Sequence, residues 1–154
     1  MLGRLVICLL TLAATLGTQP YINYRDVVNT ASFAPQGLPN GSIVRGSIFT
    51  IFGRDLGPES FVTPSELPLD TSLGGVSVTV TQGGTEIQAI PIFSCNSQVS
   101  AVMPSNAPLG QVIVRLSYEG EPSKFSASSV RSAWRSTDST SSRIPTTGLV
   151  RLLP

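Results

Sequence analysis

Short segments in which apolar and polar residues alternate recur along this chain, roughly every ten to fifteen residues, with turn-forming residues between them. The clearest covers residues 75–81, where three valines alternate with serine and threonine. Side chains alternate between the two faces of a strand, so the valines share one face. No amphipathic helix pattern separates the segments. The chain is therefore predicted to be all-β, a small antiparallel sandwich of about seven strands between Asp26 and Val130.

One central segment, residues 46–56 (GSIFTIFGRDL), has large apolar residues on both faces of its predicted strand. Phe49 and Ile51 fall on one face, whereas Ile48 and Phe52 fall on the other. A sheet with one solvated face carries polar residues there. We therefore expect a loop or a second sheet to cover Ile48 and Phe52. The alternative is that both belong to an exposed contact patch.

The end of this strand is marked by Gly53, which shares the face of Phe49 and Ile51. A residue without a side chain lets the backbone turn and approach its neighbours closely. Leu56 is expected to fold back over the end of the core.

The other strands are predicted from the same alternation and from the turns that separate them. Pro91 interrupts one strand and predicts a sheet edge or a bulge there, and the pair Gly83-Gly84 predicts a tight hairpin. Three prolines and several acidic residues make residues 57–70 a surface loop. These further strands are predicted at residues 26–33, 86–92, 98–103, 111–118 and 125–130.

The two ends of the chain differ from its centre. Residues 1–17 have one basic residue, Arg4, followed by about a dozen mostly apolar residues, which is typical of a secretory signal peptide and too short to span a membrane. We expect a secreted or cell-surface protein without stable membrane insertion after cleavage. Residues 18–25 form a predicted lead-in. Residues 131–154 are predicted to be a disordered or non-family tail, produced by a shifted or truncated coding sequence.

The composition excludes several kinds of chemistry. The chain has no histidine, so it lacks the commonest general base and metal ligand. No phosphate-binding motif is present, and a net charge of +1 gives no reason to expect nucleic-acid binding. We predict no enzyme activity, no catalytic residue, no cofactor and no metal. Cys95 is alone once Cys8 leaves with the signal peptide, and it is expected to be a small buried apolar residue.

The acidic residues Glu59, Glu66 and Asp70 of the loop can hold calcium, and with Asp55 they include the residues that can form a pair of catalytic carboxylates. Their spacing does not match a known calcium-binding loop. A pair of carboxylates can act in glycoside hydrolysis if the fold brings them together. A solvated acidic loop is the simpler interpretation.

Three blocks of sequence, in order, carry a family resemblance. They are VNTASF (28–33), GSIFTIFGRDL (46–56) and LPLDTSLGGVSVTV (67–80). Together they resemble the Solibacter-type C-terminal domain family, which belongs with the IPT/TIG immunoglobulin-like domains of bacterial secreted proteins. Residues 92–104 resemble the next block of that family but depart from it at Cys95 and at Val99-Ser100. The resemblance covers residues 26–130 and implies an immunoglobulin-like sandwich without catalytic or cofactor-binding residues.

Two classes of function are compatible with these features. The first is a non-catalytic extracellular module, acting as a structural spacer or as an adhesion or protein-interaction domain whose partner is a protein or a cell-surface polymer. The second is a carbohydrate-binding module, which requires exposed coplanar aromatic side chains. The chain can also be a fragment of a larger extracellular protein. The aromatic candidates are Tyr21, Tyr24, Tyr118 and Trp134, and Tyr118 joins Ile48 and Phe52 as the predicted contact patch.

Overall fold

The structure is a computed structural model that describes residues 19–34, 37–124 and the backbone of 126–131. The predicted signal peptide, residues 1–17, and all of the predicted tail beyond Arg131 lie outside the described residues. The described part contains ten strands and no helix, and so no helix that is long and apolar enough to cross a membrane. Seven of these strands have five residues or more, which confirms the all-β prediction.

The strands follow one another along the chain with short connections, except for the two longer segments between the first and second strands and between the third and fourth. Their bounds are β1 Tyr21–Asn29, β2 Ile43–Val44, β3 Ile48–Arg54, β4 Ser72–Leu73, β5 Val76–Gln82, β6 Thr85–Ser94, β7 Gln98–Val102, β8 Gly110–Tyr118, β9 Glu121–Pro122 and β10 Ser126–Arg131.

The strands form one curled, sandwich-like sheet in the order β1-β3-β7-β6-β5-β8-β10-β2, with β4 beside β5 and β9 beside β8. All pairings are antiparallel except that of β10 with β2. The longest strand, β6, pairs with β5 up to Ala89 and with β7 from Ile90 onward. It therefore joins the layer made by β1, β3 and β7 to the layer made by β5, β8 and β10.

Pro91 lies where β6 changes partner. The register between β6 and β7 shifts between Pro91 and Phe93, so the predicted bulge is confirmed. The alternative of a sheet edge does not apply, because Pro91 is buried and is paired with Ala101 of β7. Proline has no amide hydrogen to donate, and at a bulge the strand loses a ladder hydrogen bond in any case.

The core lies between the two layers and is built from the alternating apolar residues. The three valines of β5 are fully buried, and the inward residues of β8 are buried in the same way. Gly83 and Gly84 form the predicted two-residue hairpin, both with positive φ, and place Gln82 opposite Thr85. The fully buried side chains that fill the centre include Phe49, Ile51, Leu56, Val76, Val78, Val80, Val99, Met103, Val114 and Leu116.

Gly53 has the role that its position predicts. A Cβ atom there would collide with the carbonyl oxygen of Tyr21 and would lie 2.9 Å from Cδ2 of Leu56. The amide of Leu56 donates to the carbonyl of Asn96 at 2.8 Å, and the Leu56 side chain is fully buried. Leu56 therefore closes the end of the core, and it fits there because Gly53 has no side chain.

The structure differs from the predicted boundaries at the start of the fold. β1 begins at Tyr21, so the residues expected to form a polar lead-in before Asp26 belong to the sheet. Tyr21 and Ile22 pair with Arg54 and Gly53 of β3, and Ile22 is buried. The register shifts between Ile22 and Val27. Polar residues within this irregular stretch hide the alternation from a sequence pattern.

We predict that Gly53→Ala lowers the free energy of unfolding by about 3 kcal/mol, because the added methyl group meets a backbone atom that no rotamer change can move. Denaturant unfolding of the mature protein measures the change. Gly120→Ala is the matched control, since Gly120 has φ of 87° and nothing within 4 Å of its Cβ position. It tests backbone strain alone, about 1–2 kcal/mol. Equal losses in the two variants would contradict the close approach.

Candidate interaction surface

The outer face of β3 is the side of the strand turned away from the core, and it carries Ile48, Thr50 and Phe52. Ile48 is 40% exposed and lies opposite Val102 of β7, which in turn pairs with Ile90 of β6. This row of apolar residues therefore crosses three strands on the outside of the sheet. It is the most direct candidate for the contact patch expected from the sequence.

A turn of the chain covers the other part of this face. The amide of Phe33 donates to the carbonyl of Asn29 at 2.9 Å, which brings the Phe33 ring to 6.3 Å from the Phe52 ring, centroid to centroid. Phe52 is half-buried as a result, while Phe33 remains 56% exposed. The expected loop is therefore found over Phe52, but Ile48 remains open to solvent.

Hydroxyl groups fill the space between the turn and the sheet. Thr50 is fully buried although it faces away from the core, and its hydroxyl lies 2.7 Å from that of Thr30 and 3.1 Å from that of Ser100. Gln98 donates from Nε2 to the Ser100 hydroxyl at 3.4 Å. These hydrogen bonds supply partners for polar groups that burial separates from water. They tie the turn to β3 and β7.

Tyr118 does not join Ile48 and Phe52. It lies at the end of β8, opposite Val76 of β5, and packs against the core from the inner side. The strands β3 and β8 are not neighbours in the sheet. The predicted patch is thus divided: two of its residues share the outer face of β3, and the third closes one end of the core.

The surroundings of Tyr118 are acidic. Burial raises the pKa of the Tyr118 hydroxyl above its ordinary value of about 10. The negative charge of Glu119, a hydrogen bond with its carboxylate and the charge of Glu59 raise this pKa further. All four causes favour the neutral phenol, which does not suit a nucleophile or a general base near neutral pH.

The candidate carboxylates come together only in part. Asn96 donates from Nδ2 to Asp55 at 3.4 Å and to Glu59 at 3.1 Å. Glu66 and Asp70 are exposed on the loop. Among the residues that the structure describes, no group of three or more metal-binding side chains is present. Asp55 and Glu59 are thus brought together by the Asn96 amide, which occupies one oxygen of each carboxylate.

Cys95 is buried, as predicted, at 6% exposure. Its sulfur lies 3.8 Å from the hydroxyl of Ser97.

Two exposed apolar side chains of the loop between β3 and β4 were missed by the sequence analysis. Phe61 is 78% exposed and Leu67 is 84% exposed, the highest fractions among the large apolar residues described. The sequence signal was present, because both stand among prolines and acidic residues in a segment predicted to lie on the surface. Alternation could not reveal them, since the segment is not a strand.

The aromatic residues do not form a flat platform in the described part of the chain. The two ring pairs found there, Phe33 with Phe52 and Phe61 with Phe93, are tilted by 37° and 36°. Tyr21 is covered instead by the Arg54 guanidinium, 5.1 Å from its ring centroid. The Tyr24 side chain and Trp134 lie outside the described residues.

Comparison with known proteins adds no assignment. No model of a protein family matches the chain, and no protein of curated function matches it either. The family resemblance drawn from the three sequence blocks therefore remains a prediction.

We predict that Thr50→Val destabilises the fold by about 1–2 kcal/mol, because it leaves the neighbouring hydroxyls of Thr30 and Ser100 without their shared partner. Thermal and denaturant unfolding measure the loss. The matched control is Thr79→Val on β5, where the half-buried threonine makes no side-chain hydrogen bond within the described residues. The control should change stability by less than about 0.5 kcal/mol. A similar effect at both positions would contradict a stabilising role of the hydroxyl cluster.

We predict that Tyr118 ionises above pH 10, and that stability falls as pH rises beyond that value. The folded state keeps the proton when the unfolded chain has lost it, so the unfolded state binds fewer protons in this range. The tyrosinate absorbance of the wild type minus that of Tyr118→Phe isolates this group.

Glu119→Gln should lower the pKa of Tyr118 without restoring its ordinary value, because burial is the largest cause of the shift. A difference spectrum with an ordinary tyrosine pKa would contradict the half-buried placement of Tyr118 beside Glu119 and Glu59.

Proposed function

We propose that this protein is a non-catalytic, immunoglobulin-like module of the IPT/TIG type that is exported and acts outside the cytoplasm as a spacer or protein-interaction domain. The proposal rests on the predicted signal peptide, on the three resembling sequence blocks and on the curled all-β sheet.

The observation that carries the proposal is how the buried polar side chains are used. There are four in the described residues, and each has a hydrogen-bond partner inside the fold: Thr50 with Ser100, Ser94 with the carbonyl of Leu73, and Ser123 with the amide of Leu116. A buried hydroxyl that stabilises its own fold is not poised beside a general base, as a nucleophile would be. This use of hydroxyl groups is typical of a structural module.

The topology supports the immunoglobulin-like part of the proposal. Such sandwiches place two antiparallel layers over a core of alternating residues. Here one layer contains β1, β3 and β7, the other contains β5, β8 and β10, and β6 belongs to both. The three sequence blocks of the resemblance fall on β1 with its turn, on β3, and on β4 with β5.

The candidate contact patch is the outer face of β3 together with the exposed ring of Phe33. It has the apolar character of a protein contact, and the hydroxyl cluster beneath the turn holds it in place. Flat rings suited to sugars are not part of it, so a protein partner is favoured over a carbohydrate.

The experiment expresses the full chain with a C-terminal tag in a bacterial host. We expect the processed protein in the extracytoplasmic fraction, with its new N-terminus close to residue 18, and a cooperative melt with a β-sheet circular-dichroism spectrum. Leu10→Lys, which places a charge in the apolar run of the signal, is the matched control and should keep the protein in the cytoplasm.

The purified mature protein is then tested on a glycan array and on chromogenic esters, glycosides and phosphates. We expect no specific glycan binding and no turnover. Export of the control variant would contradict the role of the signal. Hydrolysis that follows the purified protein through successive columns would overturn the non-catalytic assignment.

A further inference from the structure

The loop between β3 and β4, residues 57–71, projects two large apolar side chains into solvent. Phe61 and Leu67 are each more than three-quarters exposed. Single exposed apolar residues are common on protein surfaces. Two side chains this exposed on one loop need an explanation, because phenylalanine and leucine gain much free energy when their large apolar surface is removed from water.

The loop is held in place beside Phe61. Val62 and Ser94 of β6 exchange two backbone hydrogen bonds of 3.0 Å, so the chain at this point forms an isolated bridge at the end of β6. The Phe61 ring lies 5.5 Å from the ring of Phe93, and the Val62 side chain lies close to Gly74. The backbone beside Phe61 is therefore held, and its ring has one aromatic contact while most of its surface is exposed. A side chain that is already ordered loses less conformational entropy on binding.

The charged side chains of this loop all have one sign. From residue 55 to residue 114 the chain contains five acidic residues and no lysine or arginine. Three of the acidic residues, Glu59, Glu66 and Asp70, belong to the loop itself and are exposed. The nearest arginine in sequence, Arg54, lies over the Tyr21 ring. The loop thus combines two exposed apolar side chains with three exposed acidic side chains.

We propose that this loop is a docking surface for a protein partner that offers an apolar pocket with a basic rim. The proposal rests on the proposed function as an interaction module and names the chemistry of its partner. Phe61 and Leu67 enter the pocket, and the acidic side chains face the lysine or arginine residues around it. Aromatic anchors supply most of the binding energy at such contacts, whereas complementary rim charges mainly speed association and select the partner.

The same charges exclude other occupants. Anionic lipid surfaces and nucleic acids carry the sign of the loop and are repelled by it. A second copy of the described fold is a poor partner, because its described basic side chains are distributed over separate strands and turns: Arg25, Arg45, Arg54, Arg115 and Lys124.

The experiment selects peptides from a random phage-displayed library on the immobilised mature protein. We expect enriched peptides to combine aromatic or leucine residues with an excess of lysine and arginine. Binding of the synthesised peptides should weaken at least about tenfold for the double variant F61S/L67S, as expected when anchor residues are removed. The double variant E66Q/D70N should weaken binding at low salt and reduce its salt dependence.

The matched control is the double variant L109S/I113S, which removes two exposed apolar side chains from a part of the surface outside both this loop and the candidate contact patch. It should leave peptide binding unchanged. Unfolding midpoints of all variants establish that each remains folded.

Three results would overturn the proposal. Selected peptides without basic excess would contradict the proposed chemistry of the partner, and equal affinity for F61S/L67S would show that the loop is not the site. If Phe33→Ser, which alters the candidate contact patch, alone lost binding, the interaction function would stand and the loop inference would fail. Self-association, or binding to phosphatidylcholine vesicles, that F61S/L67S abolishes would assign the loop to a second copy or to a neutral membrane instead.

Discussion

The fold depends on one strand that serves two layers. β6 is paired with β5 in its first half and with β7 in its second, and Pro91 lies at the point of change. Because the two halves bond on different sides, the sheet curls around the side chains that alternate inward from β5, β8 and β3. The valine and isoleucine core is thus enclosed by a change in backbone pairing at a bulge, where local twist increases.

The outside of the sheet is used in two different ways. Over Thr50, a turn and a chain of hydroxyl groups close the surface, so a residue that faces away from the core is still fully buried. At the loop between β3 and β4, a single bridge through Val62 fixes the backbone while the neighbouring phenylalanine stays in solvent. In the first case the polar groups stabilise the fold. In the second case the apolar group remains exposed to solvent.

In both regions the buried polar groups have partners within the fold, and the groups that face solvent are apolar or acidic. Tyr118 illustrates the point, because a phenol among carboxylates and partly buried keeps its proton. Likewise, the side-chain amide of Asn96, between β6 and β7, donates hydrogen bonds to the carboxylates of Asp55 and Glu59, which follow β3. Polar groups that look reactive in the sequence have structural partners in the fold.

The sequence by itself determined the strands whose side chains alternate in burial. The valines of β5, the hairpin at Gly83-Gly84, the bulge at Pro91 and the close approach at Gly53 all follow from local rules of side-chain direction and backbone freedom. Only the tertiary structure decided that Tyr21 begins a strand, that Tyr118 is remote from Ile48, and that Phe61 is exposed. Those outcomes depend on which distant segments meet, and alternation along one strand carries no information about the neighbour that covers it.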